Sequence, residues 1–208
     1  AITLRCNCKE LGKGVEGFVV RVWVDTIGKK PRANNRGQAK QAARRTAEVS
    51  WGMTGKEISL LLPDYDPNEQ SLDCTFKAEA AMHAVDFFNL FLKHHKGKWA
   101  GEKFVLSDWQ ISVVANLFGW IRPDGTRRFR SSLIELPRKS GKSHIAAGLA
   151  LFCLCADKEQ GAEVYTAAAD RDQASIVFGI AKRFVEADEY LSKHCKIYRN
   201  AIVVPSTG

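Results

Sequence analysis

The stretch Leu133-Ile-Glu-Leu-Pro-Arg-Lys-Ser-Gly-Lys-Ser-His-Ile-Ala-Ala147 constrains this chain more than any other. An apolar run enters a short basic loop, passes through Gly141-Lys142-Ser143, and continues as an Ala-rich apolar run. That order predicts strand, turn and helix. A turn holding Gly at a helix start lets several backbone N–H groups converge on an anion. The helix adds its unsatisfied first donors and the positive end of its dipole. In such a loop Lys142 reaches the β- and γ-phosphates of a nucleotide, and the Ser143 hydroxyl takes a place on Mg²⁺. The pattern G-x-x-x-x-G-K-[ST] is not fully met, because Leu136 stands where the first Gly belongs. Arg138 and Lys139 add two cations that suit a triphosphate and charge developing on its γ-phosphate. The plainer alternative is a solvated basic turn between strand and helix.

Around this stretch the pattern alternates. Residues 76–96 predict an amphipathic helix with Ala81, Val85, Phe88 and Leu92 on one face, stopped by the basic run Lys93 to Lys96 and by Gly97. The adjacent His94 and His95 lack the i, i+4 spacing of a metal pair. Residues 104–120 predict a second helix, capped by Ser107 or Asp108, with Trp109, Val113, Leu117 and Trp120 on one face. Arg122 to Arg128 predicts a turn around Pro-Asp-Gly. After the Gly-Lys-Ser helix come a strand at 162–169 and a helix capped by Asp170, its apolar face Ile176, Val177, Ile180, Phe184 and Val185. A hairpin over 196–204 turns at Arg199-Asn200. Strand, helix, strand, helix, strand is the pattern of an α/β fold with a parallel sheet.

Residues 1–66 read differently. Gly17 to Val24 is strand-like. Residues 29–45 hold Lys29, Lys30, Arg32, Arg36, Lys40, Arg44 and Arg45 with no acid among them, which suits either a nucleic-acid contact or a solvated arm. With 208 residues the chain is expected to form one domain, or one and a part. A net charge of +8 favours a polyanionic partner. No apolar run reaches the roughly 18 residues of a membrane span, and no signal peptide opens the chain. Of the six cysteines, Cys153 and Cys155 fall in the apolar helix as small hydrophobes, and Cys6-Asn-Cys8 lacks a matching pair for zinc. That usage reads as reduced and cytoplasmic.

Residues from about 77 to 208 resemble the large terminase subunit of tailed bacteriophages. The resemblance lies in a series of ordered pieces. These are Lys96-Gly-Lys-Trp-Ala-Gly-Glu102, Phe104-Val-Leu-Ser-Asp-Trp-Gln110, Asn116-Leu-Phe-Gly-Trp120, Asp124-Gly-Thr-Arg127, Pro137-Arg-Lys-Ser-Gly-Lys-Ser143 with Ala146-Ala-Gly-Leu-Ala150, and Ala167-Ala-Ala-Asp-Arg-Asp-Gln-Ala174. The family's phosphate loop has the form Pro-Arg-Lys-x-Gly-Lys-Ser, which accounts for Leu136.

The resemblance implies a RecA-like phosphate-loop NTPase with a parallel sheet flanked by helices. It implies ATP and Mg²⁺ as cofactors, with Pro137, Arg138, Lys139, Ser140, Gly141, Lys142, Ser143 and His144 along the phosphates. Trp109 and Gln110 fall at the family's adenine-recognition motif. Arg138 and Lys142 take catalytic roles, and Ser143 contacts the metal. Implied partners are double-stranded DNA, a portal protein, a small terminase subunit and further copies in a ring at the procapsid portal, in the host cytoplasm and without a membrane. The family's acidic strand-end pair and its nuclease domain belong after this region, so an incomplete ATPase core is expected. The expected partition is an extension of uncertain fold at 1–66, a helical lead-in at 67–103 and a partial ATPase domain at 104–208. Rival readings are another phosphate-loop motor such as a helicase, a non-catalytic DNA-binding module worked by residues 29–45, or a capsid-docking piece.

Overall fold

The computed structural model of the chain describes residues 2–7, 18–24, 73–136, 140–157 and 159–206. They fall into two compact units. One draws on Ala1–Gly28, Leu90–Phe104 and Arg130–Gly208; the other on Lys29–Asn89 and Val105–Phe129. The seven basic residues from Lys29 to Arg45 lie outside the described residues.

The first unit is built on a four-stranded sheet of β1 (Ile2–Asn7), β2 (Phe18–Val24), β5 (Ser131–Leu136) and β6 (Glu163–Ala167). Its order is β5-β2-β1-β6. β2 runs parallel to β5, with Val19 opposite Ser131 and Val24 opposite Leu136, while β1 is antiparallel to both β2 and β6. Among the described strands the sheet is therefore mixed, where a parallel sheet is expected from sequence. β5 and β6 do run in the same direction, as a strand–helix–strand unit requires. They are not neighbours, because β1 and β2 stand between them. A periodic pattern sets the direction of successive strands but not which segment fills the space between them.

Helix α3 (Lys142–Cys155) joins β5 to β6 and is buried along most of its circumference, through Ile145, Ala146, Ala147, Gly148, Leu149, Leu151, Phe152 and Cys153. Small residues along a helix let neighbours approach from several sides. α3 packs chiefly on α4 (Arg171–Ala187). Asp170 caps α4, its Oδ1 accepting from the Gln173 N–H at 2.8 Å. The buried face of α4 is Val177, Ile180, Ala181, Phe184 and Val185; Ile176, expected on that face, is 51% exposed. After α5 (Glu189–His194), β7 (Lys196–Ile197) and β8 (Ile202–Val203) form the expected hairpin, closed by the Tyr198 N–H on the Ala201 carbonyl at 2.8 Å.

Residues 92–104 also belong to this unit. The helix expected over 76–96 runs only from Ala78 to Phe91 (α1), and its intended basic last turn is instead one arm of a narrow hairpin. The Phe104 N–H donates to the Leu92 carbonyl at 2.8 Å. His94 donates to Glu102 and accepts from Gly101, each at 2.8 Å. A short 3-10 turn, Gly97–Trp99, closes the tip, with Gly97 and Gly101 at φ +73° and +88°. Pairing with a distant segment satisfies these backbone groups and overrides the helical stop read locally.

The second unit holds most of α1, helix α2 (Asp108–Gly119) and the two-residue strands β3 (Thr75–Phe76) and β4 (Trp120–Ile121), which pair antiparallel. Ala81, Ala84, Val85, Phe87 and Phe88 are buried on α1. On α2, Asn116 satisfies three buried polar groups at once. Its Nδ2 donates to the Ser112 carbonyl at 2.9 Å and to Ser112 Oγ at 3.2 Å, and its Oδ1 accepts from Trp120 Nε1 at 2.9 Å. The turn at 122–128 forms as expected, with Gly125 at φ +85° and Asp124 Oδ1 accepting from the Thr126 N–H and hydroxyl at 2.9 and 2.7 Å. No described helix is long and apolar enough to cross a membrane.

Candidate nucleotide site

β5 delivers the chain to the loop and α3 carries it away, the strand–loop–helix order predicted from Leu133 to Ala147. Pro137, Arg138 and Lys139 lie outside the described residues. The loop's far end is described. Gly141 is the N-cap of α3 at φ +80°, ψ 9°, a left-handed conformation that favours glycine. Its carbonyl accepts from the N–H groups of His144 at 2.9 Å and Ile145 at 3.1 Å, so the ladder of α3 begins there. The donors before that point precede the ladder of α3.

Lys142 is 8% exposed. Its stem lies in an apolar crevice with Ile134, Leu136, Ile145, Ala146 and Leu149, and its Nζ donates to the Leu136 carbonyl at the end of β5. Burial holds its ammonium below the usual lysine range. The cation is thus kept at the root of the loop, bridging the strand that enters and the helix that leaves. Ser140, Gly141 and Ser143 are half-buried.

His144 does something the sequence did not suggest. Its N–H is taken by Gly141, and its ring joins an aromatic cluster. The ring lies 5.3 Å from His95 at 19° between planes, 5.9 Å from Phe104 at 14°, and 6.1 Å from Phe184 at 63°. His94 packs edge-on to Phe104 at 5.0 Å. Burial, then His95, His94 and Lys96, push the His144 imidazole down to about 4, so it is neutral at pH 7. His95 is also shifted down, by burial first and then by Arg183, Lys96 and His94. The ring of His144 is therefore a packing surface between α3, α4 and the 92–104 hairpin. A local motif could not reveal this, since its partners lie about 40–50 residues to either side.

Trp109 and Gln110 lie on the first turn of α2 in the other unit. Trp109 is half-buried, whereas Gln110 is 8% exposed. Its Oε1 accepts from the Ser107 N–H at 2.8 Å, holding the helix start. The amide NH₂ is the half of that side chain with no part in this cap.

The molecule is thus a mixed α/β protein in which a buried lysine sits at a strand–loop–helix junction. Residues 108–206 match the family model described as the terminase large subunit, ATPase domain. The match covers just under half of the chain and marks that stretch as similar to the ATPase domain of terminase large subunits. Among solved structures, the crystal structure of the HK97 bacteriophage large terminase is similar at 20% identity and a TM-score of 0.48, over 61% of this chain and 26% of that one. The chain spans about a quarter of the length of that protein. No curated protein matches it.

Proposed function

We propose that the chain is the ATP-binding part of a terminase motor that drives double-stranded DNA into a procapsid. The observation that carries this reading is Lys142, a buried ammonium held at the mouth of β5 beside a left-handed Gly141. Holding an ammonium in an apolar crevice costs hydration that polar partners must replace. An incoming phosphate oxygen would be one such partner. We read β5–α3–β6 as the nucleotide-binding strand–helix–strand unit of a RecA-like phosphate-loop fold, with β1 and β2 inserted in its sheet.

The residues fit ATP and Mg²⁺. Gly141, with no Cβ, suits close approach of phosphate, Lys142 would supply a cation to the β- and γ-oxygens, and the Ser143 hydroxyl would hold the metal. When bound, Mg²⁺ neutralises charge on the phosphate oxygens. Arg138 stabilises charge developing on the γ-phosphoryl group. Pro137, Lys139 and Ser140 shape the loop, and Trp109 and Gln110 recognise the base, the ring by contact and the amide by hydrogen bonds. DNA is held through its phosphates, with Lys29, Lys30, Arg32, Arg36, Lys40, Arg44 and Arg45 as contacts, so binding weakens with salt. A ring of copies docked on a portal protein, supplied with DNA through a small subunit in the host cytoplasm, completes the assembly.

The test is Lys142→Ala, with MgATP titrated by calorimetry. Heat of binding is expected for the unaltered chain and none for the variant, while circular dichroism stays unchanged. Equal affinity in the two proteins overturns the site assignment.

A further inference from the structure

We infer that His144 is a positioning residue for the phosphate loop: its ring, stacked on His95 and Phe104, pins the first turn of α3 to the 92–104 hairpin. The inference rests on the nucleotide-site reading above and extends it to the side chains packed behind the loop.

His144 is the third residue of α3, directly after Lys142 and Ser143. The first donors of a helix lie outside its ladder, so contacts beyond the ladder fix where a helix start sits. Here the holding comes from side chains. The His144 ring meets two nearly parallel rings and the edge of a third. His95 and Phe104 lie on opposite arms of a hairpin whose backbone is itself fixed, by the Phe104 N–H on the Leu92 carbonyl and by the paired bonds of His94. Phe184 comes from α4 and is fully buried. The hairpin is tied to the same layer at a second place. Lys93 Nζ meets Asp188 Oδ2 at 3.3 Å and the Ala187 carbonyl at 3.2 Å, at the α4–α5 corner. Two anchors on one hairpin make it a brace, and His144 is where the brace meets the loop helix.

Without the brace the first turn of α3 samples more positions, and only a fraction of them present Lys142 and Ser143 together. Apparent affinity falls by that fraction. Lost ring contacts worth about 0.5–1.5 kcal/mol correspond to a factor of roughly two to twelve.

The test compares His144→Ala, His144→Phe and His95→Ala with the unaltered chain and with Lys142→Ala. MgATP affinity is read by calorimetry, and amide hydrogen exchange is read along α3. His144→Ala is expected to weaken MgATP three- to tenfold and to raise exchange at 143–146 while leaving 150–155 protected. His95→Ala does the same to a smaller degree. His144→Phe, which keeps a flat ring, returns both readings to within twofold of the starting protein. A ring that served only general stability would lower the melting temperature without this local exchange and without the change in affinity. Unchanged affinity and exchange in His144→Ala overturn the inference while loss of binding in Lys142→Ala leaves the nucleotide site standing. If no variant nor the unaltered chain binds MgATP, the nucleotide reading fails. The exchange pattern then decides the brace by itself: selective loss at 143–146 supports it, and an unchanged pattern refutes it.

Discussion

Asp188 performs two tasks with two oxygens, and substitution can separate them. Its Oδ1 accepts from the N–H groups of Tyr190 at 3.0 Å and Leu191 at 3.1 Å, capping α5. Its Oδ2 meets Lys93 Nζ at 3.3 Å, with the two side chains 10% and 31% exposed respectively. A cap of this type contributes about 1 kcal/mol. An ion pair on the open surface contributes up to about 1 kcal/mol, and removing one partner of a dry pair costs several. Partial exposure places this pair between them, at about 1–2 kcal/mol. Asp188→Ala should therefore cost about 2–3 kcal/mol. In a chain of this length that is a fall in melting temperature of roughly 4–12 °C. Asp188→Asn keeps an acceptor for the cap and loses only the charge, so it should cost about half as much. Thermal unfolding followed by circular dichroism reads both. A double-mutant cycle with Lys93→Met should return a coupling of about 1 kcal/mol. Equal losses in the two variants, or an Asp188→Ala protein within a degree of the parent, would refute the division of labour.

Further expectations concern packing, pH and base recognition. A Cβ on Gly119 would stand 2.5 Å from Phe76 Cε2 and 3.0 Å from Ala81 Cβ, and Phe76 is held edge-on to Trp120 at 5.4 Å. Gly119→Ala should therefore destabilise by about 1–3 kcal/mol through overpacking, measured by denaturant titration. His94, His95 and His144 all have imidazoles held below the ordinary 6.5, His144 at about 4. Burial is the leading cause for each, with Lys96 and Arg183 adding positive charge around the cluster and Glu102 opposing the shift at His94. Between about pH 6.5 and 4 the unfolded chain takes up protons that the folded one refuses, so stability should fall as pH drops through that window and be insensitive to these groups above it. His144→Phe should remove the largest share of that slope in denaturant titrations at pH 7.5, 6 and 5. Gln110→Glu keeps the acceptor that holds the Ser107 N–H and loses the amide donor. Its melting temperature should stay close to the parent's while any preference for ATP over GTP in competition binding disappears; a retained preference would remove Gln110 from base recognition.

Much of this protein could be read in order along the chain. The limits of β5, the start of α3, the turn at Pro123-Asp124-Gly125 and the last hairpin each depend on nearby residues whose preferences agree. The Gly-Lys-Ser junction is likewise local chemistry: a glycine able to turn left-handed, then a lysine and a serine on a helix start. What local preference could not decide was partnership. Strand-like residues 18–24 carry no mark of their place between β1 and β5, and residues 93–96 look like a helix end until 101–104 come back to pair with them. The ring of His144 is polar in the sequence and a packing surface in the fold, because His95, Phe104 and Phe184 converge on it only after three separate segments have met. Backbone conformation follows from neighbours in sequence, while burial and stacking follow from neighbours in space.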